Sequence, residues 1–209
     1  PSATKPLVSD AASADQGDAD TMSFNRSFQV AGEHYLLRPM EQRDIAGALL
    51  IEQTVQDYPW TRGNFKDSLR AGYPAWVIEH KLSSTPVDDA GDDSRIVSFA
   101  VQMLAPDVAH VLLIAVEPSL QGKGLGTMLL KTLEKNALRA GLDKQLLEVR
   151  RSNDQAQRFY LRHRYAVIGT RKGYYREVGG ASEDAIVLEK TLEPDDMEFT
   201  FIPDSEIQA

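Results

Sequence analysis

The chain has 209 residues, a formal net charge of −8 and no cysteine. This length predicts one domain of ordinary size with some additional chain. The absence of cysteine excludes a disulfide framework, thiolate metal sites and an acyl-cysteine intermediate. Excess negative charge without a basic stripe argues against a nucleic-acid partner and favours a basic peptide or protein.

The composition divides the chain into three parts. Residues 1–30 are rich in Ala, Ser and Asp, so we expect a disordered N-terminal extension that buries too little apolar surface to offset its ordering entropy. Residues 31–192 are expected to form a single domain, followed by a mobile acidic tail over residues 193–209, with docking of residues 197–201 as the alternative. Neither a membrane span nor a signal-peptide pattern is found, so we expect a cytoplasmic protein without a membrane partner.

The predicted elements alternate between strands and helices. Strands are expected over residues 34–38, 75–81, 95–104, 109–116, 144–149, 165–169 and 185–190. Four helices are expected. The first covers residues 41–55, and the second runs from a cap at Thr61 to Leu69. The third begins after the turn at 121–126 and ends near Gly141, and the fourth covers residues 153–163. Residues 82–94 read as a polar loop. This order predicts an α/β protein with a mixed sheet.

The most informative segment is a glycine-rich turn between an apolar strand and an amphipathic helix, with Gly122, Gly124 and Gly126. Its first helical amides lack intrahelical partners and lie at the positive end of the helix dipole, so the turn predicts a pyrophosphate site. The spacings of the P-loop and of the dinucleotide fingerprint are both absent. Gln121, Gly124 and Gly126 give the spacing Gln-x-x-Gly-x-Gly, which resembles the pyrophosphate pattern of GNAT acetyltransferases; a turn without a ligand is the alternative.

Further motifs occur in order around this turn. They are Ile51-Glu52-Gln53, Tyr58-Pro59-Trp60, Leu147-Glu148-Val149-Arg150, Ser152-Asn153, Tyr160 and Glu183-Asp184-Ala185-Ile186. Together with the glycine turn they resemble the bacterial ribosomal-protein-alanine N-acetyltransferases, a GNAT family, over residues 34–191. The resemblance implies the GNAT fold, a mixed and mostly antiparallel central sheet flanked by helices in one domain.

The resemblance also implies a cofactor and a set of site residues. Acetyl-CoA would be the co-substrate, and no metal is expected because the histidines lack zinc-ligand spacing. Residue by residue, the coenzyme contacts of the family fall on Ile114, Ala115, Val116, Gly122, Lys123, Gly124, Leu125, Gly126, Thr127 and Asn153. Its general base matches Glu148, and its general acid matches Tyr160.

Other roles remain open for these side chains. A glutamate on a strand is usually a solvated surface residue, and Tyr160 shares a helical face with Phe159 and His163 that is typical of core packing. Asn153 is equally suited to capping its helix. Trp60, Tyr174 and Tyr175 are candidate walls of an acceptor groove, and acidic residues could meet a basic peptide, namely Glu52, Glu183 and Asp184.

The implied reaction is direct transfer, within a ternary complex, of acetyl to the N-terminal alanine of a small-subunit ribosomal protein. An N-terminal amine has a pKa near 8 against about 10.4 for lysine, so one weak base suffices for the former. The alternatives are a GNAT enzyme for lysine or small-molecule amines and a non-catalytic acetyl-CoA sensor. One departure concerns residue 164, where an arginine replaces the glycine of the family; a left-handed side chain there would cost about 1 kcal/mol.

Overall fold

One sheet organises the protein. A computed structural model of the chain describes residues 25–81, 94–176 and 182–197. Its strands are β1 Arg26–Val30, β2 Glu33–Pro39, β3 Ala75–Lys81, β4 Ser94–Leu104, β5 Ala109–Val116, β6 Lys144–Arg150, β7 Ala166–Arg176 and β8 Ser182–Thr191. Within the described residues these eight strands form one sheet, in the order β1-β2-β3-β4-β5-β6-β8-β7. Only the β5–β6 pair is parallel, which confirms the mixed, mostly antiparallel sheet.

Helices cover both faces of the sheet. They are α1 Ile45–Val55, α2 Arg62–Arg70, α3 Leu125–Arg139 and α4 Asp154–Arg162. One core lies between the sheet and the helices α3 and α4, and the other lies between the sheet and the helices α1 and α2. The predicted buried stripe of α3 is confirmed, since each of its members is 1% exposed or less: Leu125, Leu129, Leu133 and Ala137.

Local signals placed most of these elements correctly. Thr61 caps α2 as predicted, because its hydroxyl accepts the amide of Asn64 at 3.3 Å. The first predicted helix begins instead with a 3-10 turn over Gln42–Asp44 before α1. Strand β7 extends beyond the predicted range 165–169 and includes Tyr174 and Tyr175.

The predicted boundary at residue 31 is wrong. Strand β1 lies inside the segment 1–30 that was expected to be disordered, and Val30 is buried in the core. The strand is stabilised by its antiparallel register with β2, a long-range property that local composition does not report. Residues 1–24, like those of the polar loop at 82–93, lie outside the described residues.

The predicted boundary at residue 192 is also too early. Residues Pro194–Met197 form a 3-10 turn, and Asp196 is 4% exposed. Its Oδ1 lies 2.9 Å from Lys190 Nζ and 3.0 Å from both Lys131 Nζ and Arg164 Nη2. The start of the acidic tail is therefore part of the domain, while residues 198–209, including most of the alternative docking segment, lie outside the described residues.

The arginine at position 164 adopts the conformation that a glycine would favour. Its φ is +68°, directly after α4. We expect Arg164→Gly to be about 1 kcal/mol more stable than Arg164→Ala, because both lose the contact with Asp196 and only alanine keeps the left-handed strain. Urea unfolding of the two variants measures this difference; an alanine variant as stable as the glycine variant would contradict it.

A second buried ion-pair network joins β2 to β3 and makes folding sensitive to acid. Arg38 donates to Glu79 Oε2 at 2.8 Å and to Asp44 Oδ2 at 2.6 Å. Although burial opposes ionisation, hydrogen bonds from Ser94, Arg38 and Lys81 lower the pKa of Glu79 to about 2. A carboxyl group with a lowered pKa stabilises the fold above its unfolded pKa of about 4.5 and loses this effect as pH falls.

This network predicts how the free energy of unfolding depends on pH. The wild-type protein should exceed Glu79→Gln in stability at pH 7, and the difference should shrink as pH falls from about 5 towards 2. Chemical unfolding of both proteins across this pH range measures it. A difference that stays constant or grows in acid would show that the charge of Glu79 does not support the fold.

Candidate active site

The site begins where strands β5 and β6 separate. Their parallel pairing covers Ala109–Val111 and Gln145–Leu147, and both strands then continue, to Val116 and Arg150. On its other side β5 stays paired with β4 up to Val116 opposite Ser98. A gap therefore opens beside the last residues of β5.

The backbone of Val116 faces this gap. The amide of the next residue, Glu117, donates to Val97 O at 2.9 Å, which marks that pair as hydrogen-bonded. Hydrogen-bonded and non-hydrogen-bonded pairs alternate in antiparallel strands, so the Val116–Ser98 pair is of the second kind. The N–H of Val116 consequently points away from β4, towards the gap.

The glycine turn closes one end of the gap. Gly122 and Gly124 have φ values of +73° and +82°, and Gly124 is the N-cap of α3. A side chain at either position would be strained, which explains the glycines. Gly126 lies against α4: a Cβ there would meet the ring of Phe159 at 3.6 Å. The turn thus presents backbone at the N-terminus of α3, as an anion site requires.

A cleft of about 290 Å³ lies between this turn, the end of β5 and α4; we call it the glycine-turn cleft. It brings together most of the predicted coenzyme residues, namely Ile114, Ala115, Val116, Gly122, Gly124, Gly126 and Asn153. Three others are not among its lining side chains. Leu125 and Thr127 are buried, and Lys123 is exposed.

A second cleft of about 460 Å³ adjoins the first one along α4, and we call it the Glu148 cleft. Its walls come from the α1–α2 connection, β5, β6 and β7. The two clefts share five lining residues, namely Gln56, Ile114, Asn153, Ala156 and Tyr160. They therefore meet along one face of α4, with Tyr160 at the boundary.

Glu148 is contacted by a histidine and an arginine. Its side chain is 6% exposed; Oε2 is hydrogen-bonded to His110 Nε2, and Oε1 forms an ion pair with Arg171 Nη1 at 3.0 Å. Burial opposes ionisation, but the hydrogen bond with His110 and the charge of Arg171 together lower the pKa of Glu148. The solvated surface position is thus excluded for Glu148, which is a buried carboxylate in the wall of a cleft.

Tyr160 is a core residue that also borders the clefts, while its role as general acid stays a prediction. Its ring packs against Phe159 at 5.1 Å and Tyr165 at 5.6 Å between centroids, so it belongs to the core. It also lines both clefts. Burial, with a smaller contribution from Tyr175, raises its pKa well above the usual range, and the phenol stays protonated.

Asn153 caps α4 and also borders the clefts, while its contact with a coenzyme stays a prediction. Its side-chain oxygen accepts the amide of Ala156 at 3.0 Å, so it is the N-cap of α4. The same residue lines both clefts. Capping therefore positions this side chain at the junction.

Aromatic side chains form the walls of the Glu148 cleft. Trp60, Tyr174 and Tyr175 line it as predicted, and Trp60 also packs edge-on against the buried Phe65 at 5.4 Å. The guanidinium of Arg150 lies 4.3 Å from the ring centroid of Tyr175 and 5.2 Å from that of Tyr58. Arg150 therefore connects the two sides of the cleft through cation–π contacts.

The predicted acidic contacts divide into two groups. Glu52 lines the Glu148 cleft and is 1% exposed; its Oε1 accepts the amide of Trp60 at 3.1 Å, and burial raises its pKa. Glu183 and Asp184 do not line the cleft. Glu183 binds Arg150 at 3.0 Å and the amide of Ser152, while Asp184 accepts the amide of Gly173.

Sequence reasoning missed the partners of Glu148. His110 was considered only as a metal ligand, and Arg171 was not considered. Both lie far from Glu148 along the chain, and no local pattern connects them. A signal existed for His110 alone, because it is the one polar residue between the apolar positions of β5. Across the described ranges, no helix is long and apolar enough to span a membrane, and no cluster of three or more His, Asp or Glu could hold a metal.

Comparison with known proteins defines the class. The family model of the GNAT acetyltransferases matches residues 45–165, which include α1, the glycine turn, Glu148 and α4. The sheet with its separated parallel pair and the glycine turn fit this match. The chain belongs to the GNAT acetyltransferase family, and it is an acyltransferase of the N-acetyltransferase type.

Within this family the chain is similar to enzymes called ribosomal protein bS18-alanine N-acetyltransferase. It is 32% identical over 145 residues to the one from Salmonella typhimurium, covering 69% of this chain and 89% of the relative. It is 28% identical over 153 residues to the one from Haemophilus ducreyi, covering 73% and 97%.

Solved structures agree with this fold. The crystal structure of the ribosomal-protein-S18-alanine N-acetyltransferase from Escherichia coli matches with a TM-score of 0.62 at 26% identity, covering 79% of this chain and 99% of that chain. The NatC complex bound to Gag peptide and CoA matches with a TM-score of 0.63 at 18% identity, covering 76% and 99%, and shares the fold.

Proposed function

We propose that this protein transfers acetyl from acetyl-CoA to the N-terminal alanine of a small-subunit ribosomal protein, directly and within a ternary complex. The observation that carries the proposal is the meeting of the glycine-turn cleft and the Glu148 cleft at Tyr160. A donor in the first cleft and an amine in the second would face each other there. The similarity to alanine N-acetyltransferases over most of their length supports the same acceptor.

The glycine-turn cleft fits a coenzyme with a diphosphate. Backbone amides over residues 122–127 at the N-terminus of α3 would hold the diphosphate, because the glycines allow close approach. The end of β5, over residues 114–116, offers backbone to the pantetheine chain along the gap. When bound, acetyl-CoA supplies the thioester that is to be attacked.

Glu148 takes the proton of the incoming amine in this proposal, directly or through a water molecule. An N-terminal amine has a pKa near 8, so about a tenth is neutral at pH 7 and a weak base is sufficient. His110 and Arg171 lower the pKa of Glu148, and each lies within contact distance of one of its oxygens. They are positioning residues, since their contacts are with Glu148.

Two further groups complete the transfer. The N–H of Val116, which points to the gap, would stabilise the negative charge that develops on the carbonyl oxygen. Tyr160 then gives its proton to the departing thiolate, and burial ensures that the phenol carries this proton. The carbon–sulfur bond breaks as the new amide bond forms, and the enzyme needs no acyl intermediate.

The acceptor is expected to be a basic N-terminal segment. The net charge of −8 attracts such a segment and disfavours direct contact with nucleic acid. Tyr58 and Tyr174, which are 39% and 46% exposed, provide aromatic surfaces at the Glu148 cleft. A ribosomal acceptor implies that the enzyme works in the cytoplasm.

The acceptor is tested with two peptides that begin with alanine, continue with basic residues including lysine, and differ only in a blocked N-terminus. The proposal predicts acetyl-CoA-dependent modification of the free peptide on its α-amino group, as located by mass spectrometry of a digest. Acetylation of the blocked peptide at lysine would favour the lysine enzyme instead. Binding of acetyl-CoA without turnover of either peptide would favour the non-catalytic sensor.

A further inference from the structure

The glycine-turn cleft contains one charged side chain, Arg162. Its other described lining residues are glycines, apolar residues, amide side chains and Tyr160, with no Asp or Glu among them. In the whole chain acidic residues outnumber Lys and Arg by 31 to 23. A cleft with a cation and no described acid is therefore suited to an anionic ligand.

The guanidinium of Arg162 is available for such a ligand. Arg162 is exposed at the end of α4, and within the described residues no carboxylate lies at ion-pair distance from it. Arg150, Arg151 and Arg164 pair with Glu183, Asp184 and Asp196. Arg158, one turn earlier on α4, also has no carboxylate at ion-pair distance within the described residues, but it does not line the cleft. The N–H groups of Arg162 are therefore not paired with a carboxylate of the described residues, although the protein is rich in Asp and Glu.

Arg162 lies on a different face of α4 from Tyr160, where the acetyl group is proposed to react. Asn153, Ala156 and Tyr160 follow one helical face and line both clefts. Gln155, Phe159 and Arg162 follow a second face and line the glycine-turn cleft alone. At 3.6 residues per turn, Arg162 lies almost opposite Tyr160 around the helix axis. A coenzyme with its acetyl end at Tyr160 and its diphosphate at the turn would leave its nucleotide end on the Arg162 flank.

We propose that Arg162 binds the phosphate on the ribose of the coenzyme and gives the enzyme a preference for coenzyme A over 3′-dephospho-coenzyme A. This inference rests on the proposed use of acetyl-CoA. The diphosphate already has the amides and the dipole of α3. The ribose phosphate is a monoester with a charge of about −1.5 to −2 near pH 7, and arginine binds such a group with two parallel hydrogen bonds.

The proposal is tested by calorimetric titration of coenzyme A and 3′-dephospho-coenzyme A into three proteins. These are the wild type, Arg162→Gln and the matched control Arg158→Gln, which removes an exposed arginine one turn earlier on α4 that does not line the cleft. We expect wild type and control to bind coenzyme A about 10-fold more tightly than the dephosphorylated form. In Arg162→Gln this ratio should fall to about 2-fold or less.

Three results would overturn the inference. An unchanged ratio in Arg162→Gln would show that another group reads the ribose phosphate. Equal losses of affinity for both ligands would assign Arg162 to the diphosphate, and an equal fall of the ratio in Arg158→Gln would indicate a general charge effect. If the wild type bound neither ligand, the proposed function itself would fail. If the wild type bound coenzyme A tightly and Arg162→Gln bound both ligands as the wild type does, only the role of Arg162 would fail.

Discussion

Replacing Glu148 by Gln is expected to lower kcat by about 10²-fold or more, because the glutamine cannot take the proton of the amine. Glutamine nearly matches the shape of glutamate, and the fold should persist. The carboxylate lies in the Glu148 cleft and does not line the glycine-turn cleft. The dissociation constant of acetyl-CoA should therefore stay close to the wild-type value.

Steady-state kinetics with a peptide that begins with alanine, together with calorimetry of acetyl-CoA, measure both quantities. A control is Glu189→Gln, which makes the same chemical change on β8 at a residue that lines neither cleft. A near-normal kcat in Glu148→Gln would remove this residue from the mechanism. Equal losses of kcat in the control would show that the effect is not specific to the site.

The second large effect concerns the buried charges beneath α3. Glu134 is fully buried, and its Oε2 lies 2.9 Å from Lys190 Nζ and 2.7 Å from Lys131 Nζ. Lys190 is 4% exposed, and Asp196 would be its one remaining carboxylate within the described residues if Glu134 lost its charge. We expect Glu134→Gln to lower the free energy of unfolding by about 3 kcal/mol, since removing one partner of a buried ion pair is costly.

Urea unfolding tests this expectation with a matched double variant. The double variant Glu134→Leu with Lys190→Met removes both charges. It should lose less free energy of unfolding than the two single variants lose together, which would show that the two charges are directly coupled. A loss below about 1 kcal/mol in Glu134→Gln, or strictly additive single and double changes, would show that the network contributes little to stability.

Much of the fold was predictable because its signals are local. The cap at Thr61 and the apolar stripe of α3 each depend on residues within a few turns of one another, and both predictions are confirmed. The mixed sheet followed from the order of strands and helices. The resemblance marked position 164 as one where the family has a glycine suited to a left-handed conformation, and Arg164 adopts that conformation.

The parts that were missed depend on contacts between distant segments. Strand β1 exists because β2 pairs with it, and the turn at Pro194–Met197 is held by Lys131 and Lys190. Neither contact leaves a periodic pattern in its own segment. Composition alone therefore made both ends of the domain appear disordered or mobile.

The candidate site shows the same division. The glycine turn was recognisable because a helix N-terminus needs particular backbone conformations at fixed spacing. The environment of Glu148 could not be recognised from the sequence, because His110 and Arg171 contact it from two other strands. The resemblance to a known family drew attention to Glu148 and Tyr160, while the structure supplied the clefts that connect them.

The central claim is that the glycine turn holds the coenzyme beside an acceptor cleft. Calorimetric titration of acetyl-CoA into the folded, purified protein tests it most directly. We predict saturable binding of one molecule per chain, with a dissociation constant between about 1 μM and 1 mM, the range usual for enzyme substrates. The affinity should fall when Gly124, at φ +82°, is changed to Val. Absence of saturable binding to the folded wild-type protein would contradict the account.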